Sequence, residues 1–262
     1  MFDMLVLAII GFISGFTGSI AGIGGGIIIV PALIYIFGIS SQTAAGTSLA
    51  VMVFIAISAV STFAKQGRID FRSASQFIIA SAPGAVIGAY IGRGFSEQAF
   101  SVFFGILMIL ISVFLSIDQK HTKSMGPPSA RRRFRDITGK EYKYQFNRSF
   151  ALGVSFCVGL LSSLFGIGGG ALMVPAMIML FSFPPHIATA TSMLVILATS
   201  VFGSISHFLL GNIQWYYVLL LAPGAYVGGV IGAIIAKRLN SKILFAILRL
   251  IIFLVALRMI LL

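Results

Sequence analysis

Six stretches of this chain, residues 41–64, 73–92, 99–117, 187–209, 214–236 and 243–262, are apolar over about 18–25 residues, enough for a helix to cross a hydrocarbon core of roughly 30 Å. Only the last contains charged side chains, Arg249 and Arg258. Two further apolar stretches, 2–37 and 150–182, are each broken by a run of glycines. Charged residues make up 9% of the chain, against about 25% in a typical soluble domain, and the mean hydropathy is +1.07. Six acidic side chains cannot keep the surface of a soluble domain this size wet. The expected fold class is an all-α polytopic membrane protein.

The net charge of +12 would suggest a nucleic-acid partner in a soluble protein. Its placement says otherwise. Half of the Lys and Arg residues fall between Lys120 and Arg148, in the one long polar connection, and such clustering marks the cytoplasmic side of a membrane protein. The segment 118–149 is therefore expected to be a basic cytoplasmic loop, with Pro127 and Pro128 suggesting flexibility, and no nucleic-acid partner is expected. A single cysteine, Cys157, rules out an internal disulfide and any multi-cysteine metal site. Lying in an apolar run, it reads as a small core residue. The N-terminus has no basic region ahead of its first apolar run, so no cleaved signal peptide is expected.

The chain repeats itself. GSIAGIGGGIIIVPALIYIFG (18–38) matches SSLFGIGGGALMVPAMIMLFS (162–182) at a constant spacing of 144 residues, and the register carries Thr47-Ser48 onto Thr191-Ser192. APGA at 82–85 and 222–225 aligns after a small gap. This organisation gives an N-terminal repeat at 1–117, the basic loop at 118–149 and a C-terminal repeat at 150–262. The glycine-broken stretch at the head of each half either crosses once or forms a hairpin of two shorter helices. Charge favours the hairpin. Lys65, Arg68 and Arg72 sit in the loop between the first half's second and third segments, whereas the matching second-half loop, 211–214, is uncharged and 237–242 is basic. The positive-inside rule then requires inverted halves, with both termini external. Each half would be a glycine-loop-broken helix hairpin plus three transmembrane helices.

A glycine loop opening a helix suggests a phosphate cradle, but a dinucleotide fingerprint needs a preceding strand and an acid about 20 residues on. Neither 35–47 nor 179–191 contains an acid. Irregular backbone at membrane depth survives when buried in protein or lining a cavity. There, glycines let a small anion approach helix N-terminal N–H groups. Candidate anion-binding residues are Gly24, Gly25, Gly26, Gly168, Gly169 and Gly170, with the hydroxyls of Thr47, Ser48, Thr191 and Ser192 as donors. Close helix packing is the competing role for these glycines, and it suffices for the spaced pairs Gly11–Gly15, Gly84–Gly88–Gly92 and Gly224–Gly228–Gly232.

The paired GxGGG loops with their downstream proline, the TS-containing helices and the APGA blocks resemble the TauE/SafE sulfite-exporter family over essentially the whole chain. The resemblance implies a transporter of sulfur-containing anions such as sulfite, sulfoacetate, thiosulfate or other sulfonates. It also implies transport driven by ion gradients, in a prokaryotic cytoplasmic membrane, without ATP. The expected function is a secondary exporter of sulfite or an organosulfonate, by alternating access around the paired loops. An importer of thiosulfate or another anion, and an uncoupled anion channel, are the alternatives.

All six acids, Asp3, Asp70, Glu97, Asp118, Asp136 and Glu141, fall at segment ends or in loops, so no carboxylate proton relay is expected within the spans. Gln42 and His186 occupy matching positions at the starts of the TS helices, where they could cap the helix, reach the anion or take part in coupling. His207, near a helix end, is expected at an interface and is the other candidate for a coupling proton. A proton or sodium gradient could drive transport, and an oligomer is compatible with the sequence. Lys65, Arg68 and Arg72 fit ordinary topology, with anion attraction as the second role. No catalytic constellation, metal-ligand spacing or cofactor motif is present, so enzyme activity is not expected.

Overall fold

The computed structural model describes residues 2–114, 129–135 and 141–236. The expected span 243–262, with Arg249 and Arg258, and Asp118 and Asp136 lie outside them. Among the described residues the chain forms α1 (Phe2–Ala21), α2 (Gly26–Phe37), α3 (Ser41–Lys65), α4 (Phe71–Gly92), α5 (Glu97–Phe114), β1 (Ala130–Arg135), β2 (Glu141–Phe146), α6 (Arg148–Phe165), α7 (Gly170–Met179), α8 (Pro185–Leu209) and α9 (Trp215–Ile235). Six of these helices, α1, α3, α4, α6, α8 and α9, are long and apolar enough to cross a membrane.

The glycine loops break the first stretch of each half into two helices. Gly25 begins α2 with φ of 92° and Gly169 begins α7 with φ of 70°. The chain folds back at each loop. Gly25 lies against the Ser14 carbonyl, and Gly169 against Val158 and Ser162. In a continuous helix Ser14 and Gly25 would be about 16 Å apart along the axis. A hairpin is therefore formed in both halves.

The two halves are interlaced. α1 packs along α9, and its counterpart α6 packs along α4, so each hairpin leans on the other half's helix. Gly11 and Gly15 meet the Leu221 and Ala225 carbonyls, while Gly228 and Gly232 meet those of Phe12 and Phe16. Gly84 and Gly88 meet Phe156 and Leu160 in the same way. These spaced glycines serve close backbone approach. The contacts also fix direction. α1 and α9 run the same way, as do α4 and α6, because residue numbers rise together along each pair. The equivalent helices α3 and α8 run oppositely, with Gly46 against His207 and Gly203 against Leu49.

The spacing of 144 residues persists through the later helices. Asp70 and Gln214 both precede a helix, and Gly84 and Gly88 play the packing roles of Gly228 and Gly232. No gap is needed. The APGA blocks instead sit one helical turn apart, Pro83 against Pro223, because a glycine every fourth residue lets the motif slide a turn without losing its packing face.

Two further expectations are corrected. Cys157 is exposed on α6, not in the core, since the glycine face of that helix is the one packed on α4. Part of the basic connection is a β-hairpin. β1 and β2 pair antiparallel with Arg132 opposite Tyr144 and Phe134 opposite Tyr142. Alternation puts Arg131, Arg133, Arg135 and Lys143 outward and turns Tyr144 and Phe146 into a cluster with Phe77, Phe181 and Phe183. The Tyr144 phenol donates to the Asp70 carboxyl at 2.6 Å, which also accepts from the Ser73 N–H at 3.1 Å and the Ser73 hydroxyl. Arg132 Nε donates to Ser73 Oγ at 3.2 Å.

Gly228→Ala should cost about 1–3 kcal/mol, because its methyl group must displace the Phe12 backbone. Gly153→Ala, which meets nothing within 4 Å, should be neutral or slightly stabilising. Thermal unfolding in detergent compares the two. Burial, and then the bond to Asp70, push the Tyr144 phenol above its ordinary pKa of 10.0. That contribution to stability is present below about pH 10 and fades as pH rises towards the folded-state value. Wild type and Tyr144→Phe should therefore show equal phenolate absorbance at about pH 11; a surplus of one tyrosinate in the wild type would contradict this.

Candidate functional site

The two glycine loops meet in the middle of the molecule. Gly26 lies against the Gly166 carbonyl and Ile167, and Gly170 against the Gly22 carbonyl and Ile23. Three glycines in each loop, Gly22, Gly24, Gly25 and Gly166, Gly168, Gly169, have positive φ, a conformation costly for any residue with a Cβ. At the starts of α2 and α7 the N–H groups of Ile28 and Leu172 donate to the Gly25 and Gly169 carbonyls, and that of Gly170 donates to the Gly168 carbonyl at 2.9 Å. The positive ends of both helix dipoles meet at this junction, a setting that favours negative charge.

The serines of the TS motifs fasten this junction reciprocally. Ser48 Oγ on α3 donates to the Gly166 carbonyl at 2.9 Å, and Ser192 Oγ on α8 lies 3.0 Å from the Gly22 carbonyl and 2.8 Å from that of Thr189. The threonines also act reciprocally. Thr47 Oγ1 accepts from the Gln214 N–H at 3.0 Å, and Thr191 Oγ1 from the Asp70 N–H at 3.1 Å. All four hydroxyls are fully buried. Each half thus holds both the loop and the following helix start of the other.

Met52 and Ile196, also 144 residues apart, face both loops. A methyl group on Gly24 or Gly168 would run into the Met52 side chain, with Ile196 at 3.3–3.4 Å. Both residues lie near the midpoints of their 25-residue helices. Sequence reasoning passed over them because an apolar residue in a membrane span carries no signal by itself; the repeat register could have paired them. It also missed a set of buried serines on α1, α6 and α8. Ser14 and Ser19 on α1, Ser162 and Ser163 on α6 and Ser200 on α8 are buried hydroxyls with no hydrogen-bond partner. Buried polar groups are normally satisfied, so these hydroxyls, unpartnered among the described residues, stand out.

The remaining candidates lie elsewhere. Gln42 Nε2 donates to the carbonyls of Gly92 and Phe95 at 3.1 Å each, tying down the end of α4. Its counterpart His186 packs edge-on against Tyr142 of the hairpin at 4.9 Å and accepts on its backbone carbonyl from Arg68. Neither is among the residues touching the loops. His207 is buried, not interfacial: its Nε2 is 3.0 Å from the Ser163 carbonyl, and its ring packs against Gly46. A lateral cavity of about 80 Å³ between α5 and α7 is lined by Ile111, Ala171, Leu172, Pro175, Ala176 and Leu180, an apolar wall with nothing to hold an anion. Among the described residues there is no cluster of His, Cys, Asp or Glu able to hold a metal ion.

Comparison with known proteins agrees with this architecture. The family described as "Sulfite exporter TauE/SafE" matches residues 7–259. The chain is similar to the probable membrane transporter protein YunE of Bacillus subtilis, 41% identical over 98% of this chain and 97% of that one. It is also similar to the probable membrane transporter protein MJ0441 of Methanocaldococcus jannaschii, 32% identical over 80% and 74%, and to one from Xylella fastidiosa, 27% identical over 88% and 84%. No solved structure gives a significant match. The chain is a multi-pass membrane transporter and belongs to the sulfite exporter TauE/SafE family.

Proposed function

We propose that the protein is a secondary transporter that carries a small sulfur-containing anion, sulfite or an organosulfonate, outward across the cytoplasmic membrane. The observation that carries this reading is the reciprocal contact of the two glycine loops near the midpoints of α3 and α8. Two helix N-termini converge there, on backbone that Gly24–Gly26 and Gly168–Gly170 keep free of side chains. Ser48 and Ser192 hold one carbonyl of each loop, which orients the loop amides. Thr47 and Thr191 hold the segments that follow. The anion takes the place filled by the Met52 and Ile196 side chains, and methionine is flexible enough to vacate it.

Inverted halves account for the opposed directions of α3 and α8. A two-fold axis that exchanges two antiparallel membrane spans must run across them, hence in the membrane plane. Each half then rocks against the other about the loop junction. The exposed Arg131, Arg133, Arg135, Lys143, Lys65 and Arg72 support, by the positive-inside rule, a cytoplasmic hairpin-bearing face and an external N-terminus.

Purified protein in liposomes, offered sulfite, thiosulfate, sulfoacetate and sulfate under imposed proton and sodium gradients, should carry one sulfur anion faster with one gradient. Ser48→Ala and Ser192→Ala should each slow that transport about tenfold, the equivalent of about 1.4 kcal/mol. Their thermal unfolding should shift only by the stranding of one buried carbonyl, about 1–3 kcal/mol. Conduction without coupling would make the protein a channel, and full activity in both serine variants would remove the loops from the site.

A further inference from the structure

Lys65, Arg68 and Arg72 cluster at one turn between α3 and α4, and positive-inside topology demands nothing more of them than their side of the membrane. The structure separates them. Lys65 and Arg72 are exposed, whereas Arg68 is buried, with 8% of its surface accessible. Its guanidinium donates through Nη1 to Gln66 Oε1 and through Nη2 to the His186 carbonyl, each at 3.1 Å, and lies 5.1 Å from the Phe63 ring centroid. Every one of these partners is neutral. Asp70, two residues on, is engaged by Tyr144 and Ser73 instead. Among the described residues, no carboxylate pairs with Arg68.

A buried cation without a counter-ion is costly, and burial works against the charge of this one. A topology signal needs no such cost. Arginine offers five N–H donors in a planar fork that matches two oxygens of an oxyanion, and neutral acceptors occupy two of its nitrogens here. The position suits an anion. Arg68 belongs to the first half but bonds to the start of α8 in the second, so it bridges the seam between the two TS helices. From Phe63 to Met52 along α3 is about 16 Å, which separates this place from the glycine loops. At the equivalent position of the second half, on the opposite face, stands Asn212, which is neutral. The feature is one-sided.

We propose that Arg68 is an oxyanion-docking residue, distinct from the glycine loops, that receives a small sulfite- or sulfonate-like anion entering the seam from the hairpin-bearing face. This rests on the transport reading above. The docked anion supplies a counter-charge that no described carboxylate provides, and it trades places with the Gln66 and His186 oxygens. The β-hairpin, through Tyr142 against His186, lies at this entrance.

Inside-out and right-side-out membrane vesicles carrying wild type, Arg68→Gln or Arg68→Lys, offered labelled sulfite and labelled thiosulfate, test the assignment. In Arg68→Gln the half-saturating concentration should rise tenfold or more when anion is presented to the hairpin-bearing face. It should change less than twofold from the other face, with the maximal rate preserved. Arg68→Lys, which keeps the charge but loses the fork, should fall between, and it carries the comparison if the glutamine variant does not fold. An unchanged profile, or an equal loss from both faces, would make Arg68 a structural strut and overturn the proposal. If the wild type transports neither anion, the transport reading loses its support, and calorimetric titration of the purified proteins with sulfite decides about Arg68 separately. Saturable binding that Arg68→Gln loses keeps the site, and its absence from the wild type removes it.

Discussion

Everything in this protein hangs on backbone touching backbone at the centre of a membrane. Gly26 against the Gly166 carbonyl and Gly170 against the Gly22 carbonyl leave no room for a Cβ, and the loops themselves use φ values that L-residues avoid. Lipid offers no hydrogen bonds, so non-helical backbone at this depth must be enclosed by protein. Each loop is enclosed by the other and by the serine of the other half's TS helix. Neither half can therefore complete its own loop. The interlacing of α1 with α9 and of α6 with α4 follows, because the hairpins must reach across to bring their tips together.

Two-fold reciprocity holds wherever the loops are concerned and fails at the periphery. Ser48 and Ser192, Thr47 and Thr191, Met52 and Ile196 are matched in place and in role. Away from the junction the pairs diverge: Asp70 against Gln214, Arg68 against Asn212, Phe63 against His207. The β-hairpin attaches to the charged members of this set, through Tyr144 to Asp70 and through Tyr142 beside His186. A device with identical halves would treat both membrane faces alike. Here the centre is symmetric and the two ends are chemically different.

The parts of this design that were legible in the sequence are those with a one-dimensional signature. Apolar length predicts α3, α4, α8 and α9 as spans, GIGGG predicts the helix breaks, and spaced glycines predict close helix packing. The 144-residue register even identifies the residues that exchange roles. What the sequence hid depends on which face a side chain turns to. The run RRRFR reads as charge, and its alternation with the inward-facing tyrosines and Phe146 emerges only once the strands pair. Lys65, Arg68 and Arg72 look alike until one of them is buried. His207, near a helix end, looked interfacial because α6 and the Ser163 carbonyl beside it are far away in sequence. Thr47 and Ser48 carry hydroxyls that could equally have faced a ligand, and the structure instead commits the serines to the opposite loop's carbonyls.

That commitment bears on how such a site could open. A serine bonded to a carbonyl of the opposite loop moves with that loop, so α3 is tied to the second hairpin and α8 to the first. Sliding the halves apart would break both bonds together and strand two carbonyls in an apolar interior, each a loss of about 1–3 kcal/mol. Rotation about the junction avoids this loss, since the bonded atoms lie close to the axis and barely separate. The turn where Arg68 bonds to the start of α8 lies further from that junction.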